Sequence, residues 1–395
     1  MMSLISSSVC EGDFSSERKD FEALAGLVEA PAMEEATGFD SSEDLKAIYF
    51  EGLDYKGKPT KVFAWLGMPE NTKGKIPAKV PAMVLVHGGG GTAFKDWVEK
   101  WNARGYAAIS IAVEGQTDKR SEDGESWRKH EWAGPSRVGI YGDAKEEFKD
   151  QWMYHAVADT ILAHSLIRSL PGVDADKVGI MGISWGGVIT STVIGIDDRF
   201  AFAIPTYGCG DLSEAPNQYG KSLGNHEMYK QVYDPMLRLQ KAKMPTLWFS
   251  WPEDRHFPMD KFANCYHEVS GSYTVSLIPK LGHGHGPPWS KPDSYAFADS
   301  ITKAGKPWCR QKGLVRLDES RVKVAFLSSK PLSDPLLVYS LDKGMSGERK
   351  WQEIAAQGNQ SRDVYEVEVT LPEGVTGWFI NVRSGELTVS SDYRE

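Results

Sequence analysis

The sequence predicts an α/β fold, a mostly parallel β-sheet flanked by helices, followed by a small all-β sandwich. Three observations predict it. From Ala82 to Ala304 short apolar runs alternate with helical stretches, the rhythm of a parallel sheet whose crossovers are helices. Those runs are apolar at nearly every position, as strands buried on both faces are. After Lys312 the helices stop, and short alternating runs separated by turn residues take over, the signature of a β-sandwich.

Each element follows from local pattern. Residues 1–40 read as an N-terminal arm with a helix around Phe21–Glu29. Asp44–Tyr55 and Thr60–Met68 read as strands; in the second, Val62, Ala64 and Leu66 recur at the strand period. Ala82–Val86, Ala107–Val113, Val178–Met181, Ala201–Pro205, Thr246–Ser250 and Tyr273–Ile278 are the candidate core strands. Between them fall helices at Ala93–Arg104, Lys149–Leu170, Gly186–Ile194, Met259–Val269 and Pro292–Ala304. Lys149–Leu170 is expected to be long and amphipathic, stopped by Pro171-Gly172. Leu314–Leu317, Val322–Leu327, Leu336–Ser340, Tyr365–Leu371, Gly377–Val382 and Glu386–Ser390 supply the sandwich. The expected organisation is an arm (1–40), an α/β domain (41–312) and a β-sandwich domain (313–395). Glu114–Glu147 and Gly208–Lys230 break the rhythm and are expected to be loops that cover a site.

Composition excludes several classes. The 395 residues carry a net charge of -9 and no dense Lys/Arg run, which argues against a nucleic-acid partner. No segment reaches the ~18 apolar residues that span a bilayer, so no membrane association is expected. The start, residues 1–10, lacks the basic and apolar regions of a signal peptide. The expectation is a cytoplasmic protein, or an exported one whose signal is missing from this sequence. Cys10, Cys209, Cys265 and Cys309 form no CxxC pair and suit neither a disulfide framework nor a thiolate zinc site. One or two disulfides are compatible with export. The chain does not reveal its oligomeric state.

The chemistry-bearing motifs fall at strand ends. Residues 182–186 read Gly-Ile-Ser-Trp-Gly. The pattern G-x-S-x-G is weak alone, but here an apolar strand leads in and a small-residue helix leads out. That is the strand–turn–helix a nucleophile elbow requires. Ser184 is therefore the candidate nucleophile. A serine hydroxyl needs a base to take its proton, and the base needs an acid to orient it. Asp254, just after Thr246–Ser250, is the candidate acid, with Glu253 as its rival. His283, just after Tyr273–Ile278, is the candidate base, with His285 as the alternative. Ala82–Val86 ends in His87 and four glycines. Such a run lets backbone N–H groups approach a developing oxyanion. Gly89 and Gly90 are the expected donors, with the N–H of Trp185, while His87 is expected to hold the loop. A phosphate-binding loop fits poorly, because no Lys-Ser/Thr follows the glycines. Thirteen tryptophans are present. Trp127, Trp132, Trp152, Trp185, Tyr207 and Trp251, together with His285, are candidates for substrate-binding walls. No metal or cofactor is called for.

These residues also resemble a known family. Asp150-Gln-Trp-Met-Tyr-His155, Ile183-Ser-Trp-Gly-Gly187, Asp197-Asp-Arg-Phe200, Pro205-Thr-Tyr-Gly-Cys-Gly210 and Leu281-Gly-His-Gly-His-Gly-Pro287 look like the acetyl xylan esterase and dienelactone-hydrolase-like branch of the α/β hydrolases. The resemblance covers residues 45–310, and Trp378–Ser391 look like a β-domain appended to some members. It implies an α/β-hydrolase fold and a serine esterase acting on a small-molecule or carbohydrate ester, often an acetylated sugar, through Ser184, Asp254 and His283. Dienelactone hydrolases proper use a cysteine where this chain has Ser184. Two other readings stand beside it: a prolyl-oligopeptidase-like peptidase with the same triad, and a carbohydrate-binding protein with an inert hydrolase fold.

Overall fold

The apolar runs form the middle of one large sheet. In a computed structural model, which describes residues 12–70 and 79–395, the chain opens with helix α1 (Ser15–Glu22). Strands β1 (Met33–Glu35), β2 (Leu45–Glu51) and β3 (Lys61–Gly67) follow. The alternation then begins: β4 (Val80–Val86), α2 (Lys95–Asn102), β5 (Ala107–Ile111), a hairpin of β6 (Gln116–Arg120) and β7 (Trp127–Lys129), and α3 (Trp152–Ser169). Next come β8 (Val173–Ile183), α4 (Trp185–Val193), β9 (Phe202–Thr206), α5 (Gln218–Leu223), β10 (Thr246–Ser250), α6 (Met259–Glu268), β11 (Tyr273–Leu277) and α7 (Asp293–Ala304). The remainder is strand: β12 (Cys309–Arg316), β13 (Arg321–Ser328), β14 (Ser333–Ser340), β15 (Gln352–Ala355), β16 (Gln357–Ser361), β17 (Val364–Thr370), β18 (Gly377–Ser384) and β19 (Leu387–Ser390). Cys10 lies outside the described residues; Cys209, Cys265 and Cys309 are free and buried.

The large sheet runs β1-β2-β3-β5-β4-β8-β9-β10-β11-β19-β18-β14-β15. From β5 to β11 every pairing is parallel; outside that span the pairings are antiparallel. Strand β4 has β5 on one side and β8 on the other. The winding therefore reverses at β4, which opens a crevice at the carboxyl ends of the strands. Helices α3, α4 and α6 pack on one face of the sheet, and α2 and α7 on the other. No helix among the described residues is long and apolar enough to cross a membrane.

Helix α3 departs from the amphipathic expectation. All but its last two residues are buried, because the N-terminal arm closes over its outer side. Phe21 is fully buried and meets Tyr233 and Phe148 edge-on, worth about 2–3 kcal/mol of burial. The Ser165 hydroxyl donates to the Leu27 carbonyl. The arm's helix spans Ser15–Glu22 and a 3₁₀ turn, Ala23–Gly26, starting earlier than apolar spacing suggests.

Asp159 of α3 is buried beside Gly52 of the β2–β3 connection, and its Oδ1 has no hydrogen-bond partner among the described residues. Burial pushes its carboxyl up to about 8 from 3.8. The folded state thus keeps a proton that the unfolded chain releases above its ordinary value. Stability is full below about pH 4 and is lost as pH rises through the folded value. Asp159→Asn removes this penalty, so its melting temperature should exceed wild type at pH 8 and match it at pH 4. Equal shifts at both pH values in calorimetry would refute the ionisation argument.

The C-terminal strands form two layers. One is the four-stranded sheet β12-β13-β17-β16; the other is the far end of the large sheet. Leu337, Tyr339, Trp378 and Ile380 point into the core between them, while the intervening Val338 and Phe379 join the core under the α/β region. The strand period of two is thus used on both faces. Strands β15 and β16 are exposed at every residue and carry no apolar alternation to betray them. The segment after β5 folds into the β6–β7 hairpin, and 208–230 contains α5.

Candidate active site

Ser184 sits in the sharp turn between β8 and α4 with φ 58° and ψ -119°. A non-glycine residue there stores about 1–3 kcal/mol of strain. The flanking glycines make the turn sterically feasible. A Cβ at Gly182 would stand 2.0 Å from the Gly186 carbonyl oxygen, and one at Gly186 would stand 2.2 Å from that of Val86. The Ser184 N–H donates to Thr206 of β9, and its carbonyl accepts from Val188. The side chain is thereby held at the start of α4, where the helix dipole favours developing negative charge.

His283 meets this hydroxyl. Its Nε2 lies 3.0 Å from Ser184 Oγ, and its Nδ1 lies 2.9 Å from Asp254 Oδ2. The carboxylate can only accept, so Nδ1 carries the proton and Nε2 is free to accept from the serine. Asp254 is fully buried and accepts four hydrogen bonds. Oδ1 takes the N–H groups of His256 (2.7 Å) and Phe257 (3.1 Å); Oδ2 takes His283 and the Trp251 indole N–H (3.1 Å). Glu253 points elsewhere, accepting from the Lys280 N–H at 3.2 Å. The Phe257 ring stacks parallel to the His283 ring at 5.9 Å, and Tyr207 and His256 flank it at 4.6 Å.

The C-terminal strands reach this site from behind. A Cβ at Gly347 would fall 2.1 Å from the Asp254 carbonyl oxygen, and Ser346 Oγ accepts from the Met259 N–H at 2.7 Å. The acid loop is thus clamped between α6 and the turn before β15.

His285 has a different task. Its Nε2 accepts the Gly88 N–H at 3.1 Å, and its ring leans on Phe94. Burial holds it below the ordinary histidine range, which keeps it neutral and able to accept. The two histidines of His-x-His therefore diverge, one to the serine and one to the glycine turn. His87 anchors that turn from inside: its Nε2 accepts from the Val113 N–H and its Nδ1 donates to the Gly88 carbonyl. Burial pushes it down to about 3.

The glycine turn distinguishes its members. The Gly90 backbone lies on the side of Glu114 and favours its charged form, and the Gly90 carbonyl accepts from Trp127 Nε1 at 2.9 Å. Gly90 therefore has its carbonyl committed to Trp127 and its backbone beside Glu114. The Gly91 N–H closes the turn onto the Gly88 carbonyl. The N–H groups of Gly89 and Trp185 remain without an acceptor among the described residues. Gly88, the neighbour of Gly89, packs against Ser184, where a Cβ on it would fall 2.8 Å from the Ser184 Cβ, and Trp185 directly follows Ser184.

The expected aromatic walls separate into distinct roles. Trp185 and Trp152 meet edge-to-face at 5.6 Å, and Trp152 Nε1 donates to the Val113 carbonyl. Trp127 braces the glycine turn. Trp251 orients Asp254, and Tyr207 is fully buried behind the His283 loop, donating to the Gly284 carbonyl. Trp132 belongs elsewhere: its ring lies under Lys61 and beside Tyr49, at the β2–β3 side of the sheet. Two neighbours have no sequence motif: His256, two residues after Asp254 in the same turn, and Arg137, discussed below.

A strained serine after a parallel strand, a histidine hydrogen-bonded to it, a buried acid behind, and a winding reversal at the adjacent strand decide the architecture. The chain has the α/β-hydrolase fold. The sequence model of the acetyl xylan esterase (AXE1) family matches residues 19–213, and that of the prolyl oligopeptidase family matches residues 139–297. The solved acetyl xylan esterase from Paenibacillus sp. R4 is similar at 20% identity and a TM-score of 0.53, over 70% of this chain and 91% of that one. Acetyl xylan esterase 1 from Thermoanaerobacterium sp. JW/SL YS485 is similar at 21% and 0.53, over 68% and 90%. Dipeptidyl aminopeptidase BIII of Pseudoxanthomonas mexicana is 26% identical over 266 residues, 60% of this chain. The chain spans about a third (34%) of that relative's length.

Proposed function

We propose that this α/β-hydrolase is a serine esterase that hydrolyses carboxylic esters, acetyl esters of carbohydrates in particular. The observation that carries the reading is the unbroken line from Ser184 Oγ through His283 to Asp254, at 3.0 and 2.9 Å, with the two free N–H groups beside it. His283 Nε2 takes the Ser184 proton as Oγ bonds to the ester carbonyl carbon. The carbonyl oxygen becomes an oxyanion held by Gly89 and Trp185. The carbon–alkoxy bond then breaks and the alcohol leaves with the proton from His283. Water, deprotonated by the same histidine, attacks the acyl-enzyme and releases the acid and Ser184. The match to the acetyl xylan esterase model favours an acetyl group.

A peptidase reading rests on the prolyl oligopeptidase match and the aminopeptidase relative. The two separate in one panel: acetylated xylan, acetylated monosaccharides and p-nitrophenyl acetate against aminoacyl-p-nitroanilides. Turnover of the acetyl esters with none of the anilides is expected. The reverse pattern would replace the esterase reading. A fluorophosphonate should label Ser184, with the adduct located by peptide mass spectrometry; an unlabelled protein would mark the site as inert.

A further inference from the structure

One charged group stands at the mouth of this site with no part in the triad. Arg137 comes from the long segment after β7, and its guanidinium packs against Gly89. A Cβ at Gly89 would lie 2.5 Å from Nη2 and 2.9 Å from Cζ. The missing side chain at position 89 is thus what admits the guanidinium beside the free Gly89 N–H. The group also lies over the indoles of Trp185 at 5.7 Å and Trp152 at 6.0 Å, so aromatic surface fixes its plane.

Its hydrogen bonds are only partly used. Nε faces Glu114 Oε1 at a long 3.4 Å, and Nη1 donates to the Gly139 carbonyl. Nη2, the atom nearest Gly89, has no partner among the described residues. The Glu114 carboxyl divides its contacts between Arg137 and the Gly90 backbone. Guanidinium groups recognise carboxylates through parallel N–H donors, and one donor here is free, half-sheltered and next to the expected oxyanion.

We propose that Arg137 is a substrate-recognition residue that selects esters carrying a carboxylate close to the scissile carbonyl. This rests on the esterase reading above and narrows its substrate class. The carboxylate can lie on the acyl side or on the alcohol side, and two matched pairs separate these. Mono-p-nitrophenyl succinate against p-nitrophenyl butyrate tests the acyl side. 2-Acetoxybenzoate against phenyl acetate, each corrected for its uncatalysed rate, tests the alcohol side.

Wild type should favour the anionic member of at least one pair by about tenfold to a hundredfold in kcat/KM, the range of one charge-assisted hydrogen bond. Arg137→Gln should collapse that ratio through KM, and Arg137→Lys should restore part of it. Gly89→Ala keeps the backbone N–H but puts a methyl group where Nη2 stands, so it too should lose the preference. A wild-type enzyme that cleaves all four esters without favouring an anionic one overturns the proposal and leaves the esterase reading intact. Equal loss on both members of a pair in Arg137→Gln also overturns it, marking Arg137 as structural. Failure of wild type to cleave any of the four would instead strike the esterase reading.

Discussion

Ser184→Ala is expected to lower kcat on p-nitrophenyl acetate by about 10⁵- to 10⁶-fold, the scale of loss when a serine nucleophile is removed. The substitution deletes only Oγ. The turn stays at φ 58° because Gly182 and Gly186 still leave no room for another path. Folding should therefore be intact and the melting temperature close to wild type. Ser184→Gly should be equally inactive yet more stable by about 1 kcal/mol, because glycine adopts positive φ without strain. Together the pair separates chemistry from stability at one position. Rates and circular-dichroism melts of both variants check this. Alanine turnover within tenfold of wild type would remove Ser184 from the mechanism.

The site was legible where a residue's role depends on its own strand end. Ser184, Asp254 and His283 each follow a short apolar run, and parallel topology carries those ends to one edge of the sheet. The parts that could not be read depend on contacts between segments distant in the chain. Four glycines in a row do not disclose which N–H is already spent; His285 takes that of Gly88, and that of Gly91 closes onto the Gly88 carbonyl. Trp251 reads as a wall, but three residues of turn bring its indole N–H onto Asp254. Trp132 lies in the same irregular segment as Trp127 and ends on a different side of the sheet. Arg137 has no motif because its partners, Gly89 and Trp185, come from two other loops. The buried character of α3 was hidden for a similar reason: the stretch from Phe21 to Leu27 that covers it is short and of mixed composition, and the contact of Phe21 with Tyr233 spans half the chain. Strands β15 and β16 are the opposite case, polar and exposed, placed by hydrogen bonding to β14 and β17 rather than by burial.

Asp254→Asn should reduce kcat by about 10⁴-fold while KM stays close to wild type, as expected when a triad acid loses its charge but keeps its shape. The reason lies in the four donors around this side chain. Trp251 and His283 address one oxygen, and the backbone N–H groups of His256 and Phe257 address the other. An amide has one acceptor and one donor end, so its NH₂ must face two donors in either orientation. If it faces the backbone pair, two buried N–H groups lose their acceptor and the loop carrying the acid is destabilised. If it faces His283, the imidazole must accept at Nδ1, the proton moves to Nε2, and Nε2 can no longer accept from Ser184. The second orientation leaves the backbone bonds intact; it misplaces the proton and costs the Trp251 indole N–H, a single side-chain donor, its acceptor. Activity should therefore fall far more than stability, and strong base should recover part of it by ionising the serine without help from histidine. Glu253→Gln, one residue away, should change kcat less than threefold, because Glu253 contacts Lys280 and not the imidazole. Pre-steady-state release of p-nitrophenol checks both variants. Comparable losses in Asp254→Asn and Glu253→Gln would mean that the charge of the loop, and not the hydrogen bond to His283 Nδ1, is what catalysis requires.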